Sequence, residues 1–265
     1  PSEQEYDNVE ILVPENSRGF LCEIWGQAPQ KLSVGFRSPV GETIPRIPIT
    51  LQQSEKIEFA LEETEIQIEY NLILPSSGSQ LILMRFARPT PGIWEVHVYS
   101  SDGDKSDYHM WLPMERFSDP DITFLTPDPY TTLTAPSDAE AILSVGTYQS
   151  SDSSLWSYSG RGFTRLSDIK PDIAAPGVSV TAPGPAGSYI SITGSSAAAA
   201  LAAGAAALLM EWRMKRGRGS YLTAYETKIY FIRGAGRQDT ILYPSREWGY
   251  GTLDLYQTFA SIMTS

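Results

Sequence analysis

Residues 192–210 read ITGSSAAAALAAGAAALLM, and this stretch decides the fold of the second half of the chain. A β-prone segment ends at Gly194, two serines follow, and a run of strong helix formers then begins. The pattern predicts a helix with Ser195 or Ser196 as its N-cap. Because small residues occur on every side of this helix, we expect it to be packed closely on all sides.

A hydroxyl at such a helix start lies where unpaired backbone N–H groups and the positive end of the helix dipole favour developing negative charge. This position suits a nucleophilic serine. Two other interpretations fit the same stretch, namely a membrane span and a buried structural helix that happens to carry a serine cap. Ala, Gly and Ser are weakly hydrophobic for a span, whereas a capping serine is common.

The net charge and composition of the chain limit the classes of partner that it is expected to bind. The 265 residues carry a formal net charge of −11, with a pI of about 4.7. This acidic balance predicts no nucleic-acid partner and no membrane partner. Cys22 is the single cysteine, so an internal disulfide is impossible. The chain opens at Pro1 without Met, from which we expect a fragment or a processed product of a longer protein.

Two domains are predicted, over residues 1–118 and 119–265. The first reads as short strands with polar turns between them, which predicts an antiparallel β-sandwich that is jelly-roll-like. Its eight predicted strands are Asn8–Val13, Gly19–Trp25, Lys31–Phe36, Lys56–Leu61, Glu65–Leu74, Gln80–Phe86, Ile93–Tyr99 and Tyr108–Leu112.

The second predicted domain has an α/β pattern, in which short strands alternate with helices. Two further amphipathic helices follow the Ala-rich one. The predicted strands are Ala141–Thr147, Asp172–Ala175, Val178–Thr181 and Tyr189–Thr193, and the further helices are Tyr221–Arg233 and Leu253–Met263.

Five motifs in the second domain resemble, in order, the C-terminal half of a subtilisin-like serine protease catalytic domain (subtilase, peptidase family S8). They are AILSVGT at 141–147, YSGRG at 158–162, KPDIAAPG at 170–177, GSSAA at 194–198 and GYGTLD at 249–254. The predicted β-sandwich before them resembles the insert of Csp-type spore-germination proteases. The expected fold is therefore α/β plus all-β, with the sandwich followed by the C-terminal half of a subtilisin-like α/β/α domain.

The resemblance implies that Ser196 is the catalytic nucleophile and that its backbone N–H is an oxyanion donor, with Gly194 and Ser195 in the supporting turn. Protein or peptide would be the substrate. The resemblance implies no cofactor; some members bind calcium, and no metal site is assigned here. It suggests an extracellular or spore-associated location. Asp172, which resembles a catalytic acid at first sight, is expected to be a structural residue in a buried turn.

The other catalytic groups of the family are missing from this sequence. Its two histidines, His97 and His109, lie in predicted sandwich strands and lack the family's H-G-T-H surroundings. We therefore expect His and Asp to come from a missing N-terminal half of the catalytic domain, and we expect this chain alone to be inactive. The alternatives are a pseudoprotease or binding scaffold that recognises a partner through its sandwich, and a carbohydrate-binding sandwich that uses Trp25 or Trp111.

Overall fold

The computed structural model describes residues 5–49, 54–101, 107–113, 121–215 and 222–263. The chain forms two compact units, which divide between Pro127 and Asp128. The predicted boundary between residues 118 and 119 lies outside the described residues. The first unit extends past it because a short strand, β10 (Thr123–Phe124), pairs with the first strand of the chain.

The first unit, called the sandwich unit here, is built from two five-stranded sheets. One has the strand order β10-β1-β8-β3-β4, and the other has the order β5-β6-β7-β2-β9. The remaining bounds are β1 Asp7–Val13, β2 Gly19–Gln27, β3 Leu32–Arg37, β4 Thr43–Ile44, β5 Glu55–Glu58, β6 Glu65–Asn71, β7 Ser79–Ala87, β8 Gly92–Ser100 and β9 Tyr108–Trp111. All eight predicted strands are present, and β4 and β10 are additional.

One apolar core joins the two sheets, because alternate residues of each strand point inward. Phe86 on β7 meets Phe36 on β3 and Trp94 on β8 in edge-to-face contacts, with ring centroids 5.9 and 5.6 Å apart. Trp94 is fully buried, and its indole N–H donates to the carbonyl of Thr90 at 2.9 Å. The sandwich unit is therefore held by a continuous core rather than by its turns.

The second unit holds a three-stranded sheet of order β12-β11-β13, in which β11 and β13 run parallel, and a separate β14–β15 hairpin. The bounds are β11 Val145–Gln149, β12 Ser154–Leu155, β13 Ile173–Pro176, β14 Val180–Pro183, β15 Tyr189–Ile192, α1 Ser195–Lys215, α2 Ala224–Arg233 and α3 Leu255–Met263. The predicted start of the second helix at Tyr221 lies outside the described residues, and Thr223 caps α2 through a capping box with Glu226.

The Ala-rich helix α1 corrects one prediction. It is buried on one face only, where Ala198, Ala202, Ala205 and Leu209 lie at helical spacing against the sheet and the other helices. The rest of its surface is largely exposed: Leu201 and Leu208, which share one side of the helix, are 40 and 52% exposed, and Met214 on another side is 59% exposed. Within this chain the expectation of packing on all sides is wrong, because the chain supplies packing partners for one face of α1 only. Among the described residues, α1 has the length and composition that a membrane span needs.

The sandwich core also protects the single thiol. Cys22 on β2 is fully buried, and burial raises the pKa of its thiol far above the ordinary value. We expect no reaction with Ellman's reagent in the folded protein and complete reaction in guanidinium chloride, because only the thiolate attacks the reagent. The measurement is the absorbance released per chain in each condition; rapid stoichiometric labelling of the folded protein would contradict the buried position.

Candidate active site

The turn before α1 presents Ser196 at the surface. Gly194 has φ +155°, a region that favours glycine. Its N–H donates to the carbonyl of Gly177 at 2.8 Å, and its carbonyl accepts from the N–H of Ala197 at 3.0 Å. Ser195 and Ser196 are both exposed in the first turn of the helix. The hydroxyl of Ser196 is therefore accessible from solvent and lies on a turn that is fixed on both sides.

Neither serine precedes the helix as an N-cap would. Helix α1 begins at Ser195, so Gly194 is the residue before it and the predicted cap is wrong by one or two positions. Both serines therefore lie in the first turn of α1, where helical N–H groups have no partner within the helix. Those N–H groups can stabilise an oxyanion that forms near the Ser196 hydroxyl.

Gly177 is the second fixed point of this turn. A Cβ at Gly177 would lie 2.8 Å from the carbonyl oxygen of Gly194 and 3.2 Å from the Cβ of Ala198. No side chain fits between them without moving backbone. The end of the KPDIAAPG segment therefore has to be glycine for the helix that carries Ser196 to approach β13 this closely.

Asp172 lies in a buried charge cluster with Lys170 and Lys228. The Asp172 and Lys170 side chains are 1 and 2% exposed, and Lys170 Nζ donates to Asp172 Oδ2 at 2.9 Å. Lys228 Nζ on α2 lies 2.9 Å from Asp172 Oδ1 as an ion pair. The N–H of Ser144 also donates to Asp172 Oδ2, at 2.7 Å. All of these contacts hold backbone segments together, so the structural role expected for Asp172 agrees with its position.

The same cluster explains why β11 begins at Val145 and not at Ala141 as predicted. The carbonyl of Ile142 accepts from Lys170 Nζ at 2.6 Å, and the carbonyl of Glu140 accepts from Lys228 Nζ at 3.0 Å. The two lysine side chains thus donate to backbone carbonyls that strand pairing would otherwise use. Burial lowers the pKa of Lys170, and the hydrogen bond that its ammonium group donates to Asp172 opposes that shift.

Replacing Asp172 by Asn tests the cluster. The change keeps the shape but leaves a buried ammonium without its counter-charge, so we expect a loss of about 3–5 kcal/mol in the free energy of unfolding. The measurement is urea denaturation followed by circular dichroism.

The matched control is Glu211→Gln on α1, which removes an exposed pair with Lys215. Exposed pairs at this spacing contribute about 0.3–0.5 kcal/mol. Equal losses in the two variants would show that the buried cluster does not carry the stability assigned to it.

Both histidines lie in the sandwich unit, where the sequence predicted them. His97 on β8 is 5% exposed, lies 3.3 Å from Glu95 Oε2 and stacks on Tyr6 at 4.2 Å between centroids. His109 on β9 stacks on Trp111 at 6.1 Å. Each histidine therefore has a packing role in its own strand. The described part of the second unit contains no histidine.

Two residues around the site were not found by sequence reasoning. Lys228 is distant along the chain from Asp172, and nothing in the pattern of α2 marks it as a partner. Thr147 is fully buried beneath Gly177, and only its place in the AILSVGT motif connects it to the site. Within the described residues, no three His, Cys, Asp or Glu side chains are grouped as a metal site.

The model of the subtilase family (peptidase S8) matches residues 125–251, which include the turn, Ser196 and the buried cluster. The structure of the Clostridium perfringens CspB protease superposes with a TM-score of 0.89 and 25% sequence identity, over 98% of this chain and 55% of that chain. This chain is subtilase-like, and its structure is similar to that of a Csp-type protease. It spans about half the length of the CspB structure.

Other solved structures resemble the subtilase-like chain over a smaller part. The self-cleaved protease domain of PatA matches with a TM-score of 0.42 and 22% identity, covering 52% of this chain and 47% of its own. The prenylagaramide maturation protease PagA matches with a TM-score of 0.42 and 23% identity, covering 50 and 46%. Scores this low carry no functional argument. No curated protein matches the sequence significantly.

Proposed function

We propose that this chain is the C-terminal portion of a subtilisin-like serine endopeptidase and that Ser196 is its nucleophile. The observation that carries the proposal is the exposed Ser196 hydroxyl in the first turn of α1, fixed by the bond from Gly194 to Gly177. It lies inside the segment that matches the subtilase family. Protein or peptide is the proposed substrate.

In the proposed reaction, Ser196 Oγ attacks the peptide carbonyl carbon and its proton passes to a histidine of the N-terminal part of the protein. The Ser196 backbone N–H donates to the oxyanion as it forms. The C–N bond then breaks, the histidine protonates the leaving amine, and an acyl group remains on Ser196. Water hydrolyses that ester and regenerates the hydroxyl.

The second unit has a surface suited to that N-terminal part. No charged residue occurs between Asp172 and Glu211, although the whole chain is 19% charged. The exposed Leu201 and Leu208, which share one side of α1, both fall within this uncharged run. Interface centres are depleted of charge in the same way. About half of the CspB chain has no counterpart here, so we propose the missing half of the catalytic domain as the occupant.

The open edge of β11 supports the same partner. On the side away from β13, β11 pairs with β12 only at Tyr148 and Gln149. Among the described residues, Val145 therefore has a strand partner on the β13 side alone, at Ile173. Parallel sheets are normally covered and continued on such edges. A strand from the N-terminal part would complete the sheet beside β11.

The sandwich unit is proposed to be a jelly-roll-like domain inserted into the catalytic domain. β1 pairs with β8 and β2 with β7, which is the nested pairing of a rolled-up hairpin. β3 departs from that scheme because it pairs with β4 and β8. The resemblance to Csp-type proteases makes spore germination the proposed process for the whole protein.

Fluorophosphonate labelling tests the proposed nucleophile in the full-length protein that contains the N-terminal part. We expect stoichiometric labelling of the wild type, background labelling of Ser196→Ala, and retained labelling of the matched control Ser191→Ala, which changes an exposed serine on β15 outside the turn. The 265-residue chain alone should remain unlabelled, because no histidine is supplied to take the proton.

Absence of labelling in a correctly folded full-length protein would overturn the enzyme proposal. That outcome would favour a pseudoprotease or binding scaffold that keeps the serine without its catalytic partners. Labelling that persists in Ser196→Ala would instead show that another residue is the nucleophile.

Replacing Leu208 by Glu tests the proposed covering of α1. The side chain is exposed in this chain, so we expect a change in its stability within about 0.5 kcal/mol. In the full-length protein the charge would be buried, so labelling and thermal stability should both fall. Tyr256→Glu on α3, 79% exposed, is the control. Full-length protein that tolerates Leu208→Glu as well as it tolerates Tyr256→Glu would contradict the interface.

A further inference from the structure

Thr147 is a fully buried residue at the centre of β11, directly beneath the turn that carries Ser196. Its backbone is already bonded on the side away from β13. The N–H donates to Ser159 Oγ at 2.9 Å, and the carbonyl accepts from the N–H of Trp156 at 3.1 Å. Thr147 therefore has a fixed backbone, and its side chain is the part free to influence its surroundings.

The γ-methyl of Thr147 lies against Gly177. A Cβ at Gly177 would lie 2.5 Å from Thr147 Cγ2, so the methyl occupies the space in which a side chain would begin. The other atoms nearest to that point are the carbonyl oxygen of Gly194 and the Cβ of Ala198. Strand β11, the turn at Gly194 and helix α1 thus meet at Gly177. The Thr147 methyl group packs against this junction from the side of β11.

The hydroxyl of Thr147 does not share in this support. Within the described residues, its Oγ1 is buried without a hydrogen-bond partner. A buried hydroxyl in that state costs stability, and valine would fill the same volume without that cost. The contact that holds the junction is therefore the methyl group and not the hydroxyl.

We propose that Thr147 is a positioning residue for Ser196. Its γ-methyl fixes Gly177, the Gly177 carbonyl holds the N–H of Gly194, and Gly194 sets where the first turn of α1 presents the Ser196 hydroxyl. The proposal rests on Ser196 being the nucleophile. In this proposal, the Thr147 methyl group sets the distance between the nucleophile and the sheet beneath it.

Three substitutions in the full-length protein separate the methyl from the hydroxyl. Thr147→Val keeps the methyl and should retain the acylation rate within about twofold, with a melting temperature no lower than that of the wild type. Thr147→Ser and Thr147→Ala both lose the methyl, so kcat for peptide hydrolysis should fall about ten- to a hundredfold, with KM nearly unchanged. Ile173→Val, a fully buried position on β13 that likewise loses one carbon, controls for a general loss of core packing.

A second readout does not depend on catalysis. Hydrogen exchange at the Gly194 amide should be faster in Thr147→Ala and Thr147→Ser than in Ile173→Val, because the acceptor at Gly177 has lost its support. Unchanged Gly194 exchange and kcat in Thr147→Ala would overturn the proposal. So would a Thr147→Val protein as impaired as Thr147→Ala, since the hydroxyl would then be the active group. If the wild type lacks activity, the exchange result alone decides, and the two failures remain distinguishable.

Discussion

The hydrogen bond from Gly194 to the carbonyl of Gly177 is the contact on which the candidate site depends. It joins the turn before α1 to the end of β13. Neither position accepts a side chain without cost, the first because of its φ angle and the second because three other groups crowd it. Without that bond, Ser196 would lie on the frayed start of a helix. With it, the Ser196 hydroxyl is held at a defined distance from the sheet, as the proposed nucleophile requires.

The buried charge cluster holds the opposite end of β13, at Asp172. Asp172 is two residues from Lys170 and, through Lys228, is tied to α2. Two cations around one carboxylate leave a net positive charge, and the carbonyls of Ile142 and Glu140 offset it by accepting from the two ammonium groups. Such a cluster contributes little net stability compared with apolar packing, but it penalises any arrangement that separates its members. It therefore specifies the position of β13, and with it the position of Gly177.

The sequence predicted the strands well because their signals are local. Alternation in Glu65–Asn71 and Gly92–Ser100 follows from having one face inward, and that requires no knowledge of the partner strand. The short strands β4 and β10 escaped prediction because two residues carry no period. The start of β11 was misplaced because lysine and aspartate side chains, distant in the chain, take the backbone of 140–144. Ser196 was predicted as a site residue from the resemblance of its motif. Thr147 was not predicted, because only the packed structure shows that β11 lies beneath Gly177.

The failed prediction for α1 is physically the most informative. The part of α1 from Ala197 to Met210 contains only Ala, Gly, Leu and Met and has no polar face with which to meet water, so its sequence calls for cover on every side. The structure of this chain supplies cover on one side only. Gly204 has open space where a Cβ would lie, and a partner could approach the helix backbone closely there. Lipid would accept the apolar side chains, but it would also separate Ser196, the proposed nucleophile in the first turn of the same helix, from an aqueous substrate. A protein surface satisfies both requirements, because it can cover Leu208 and Met214 while leaving the first turn open.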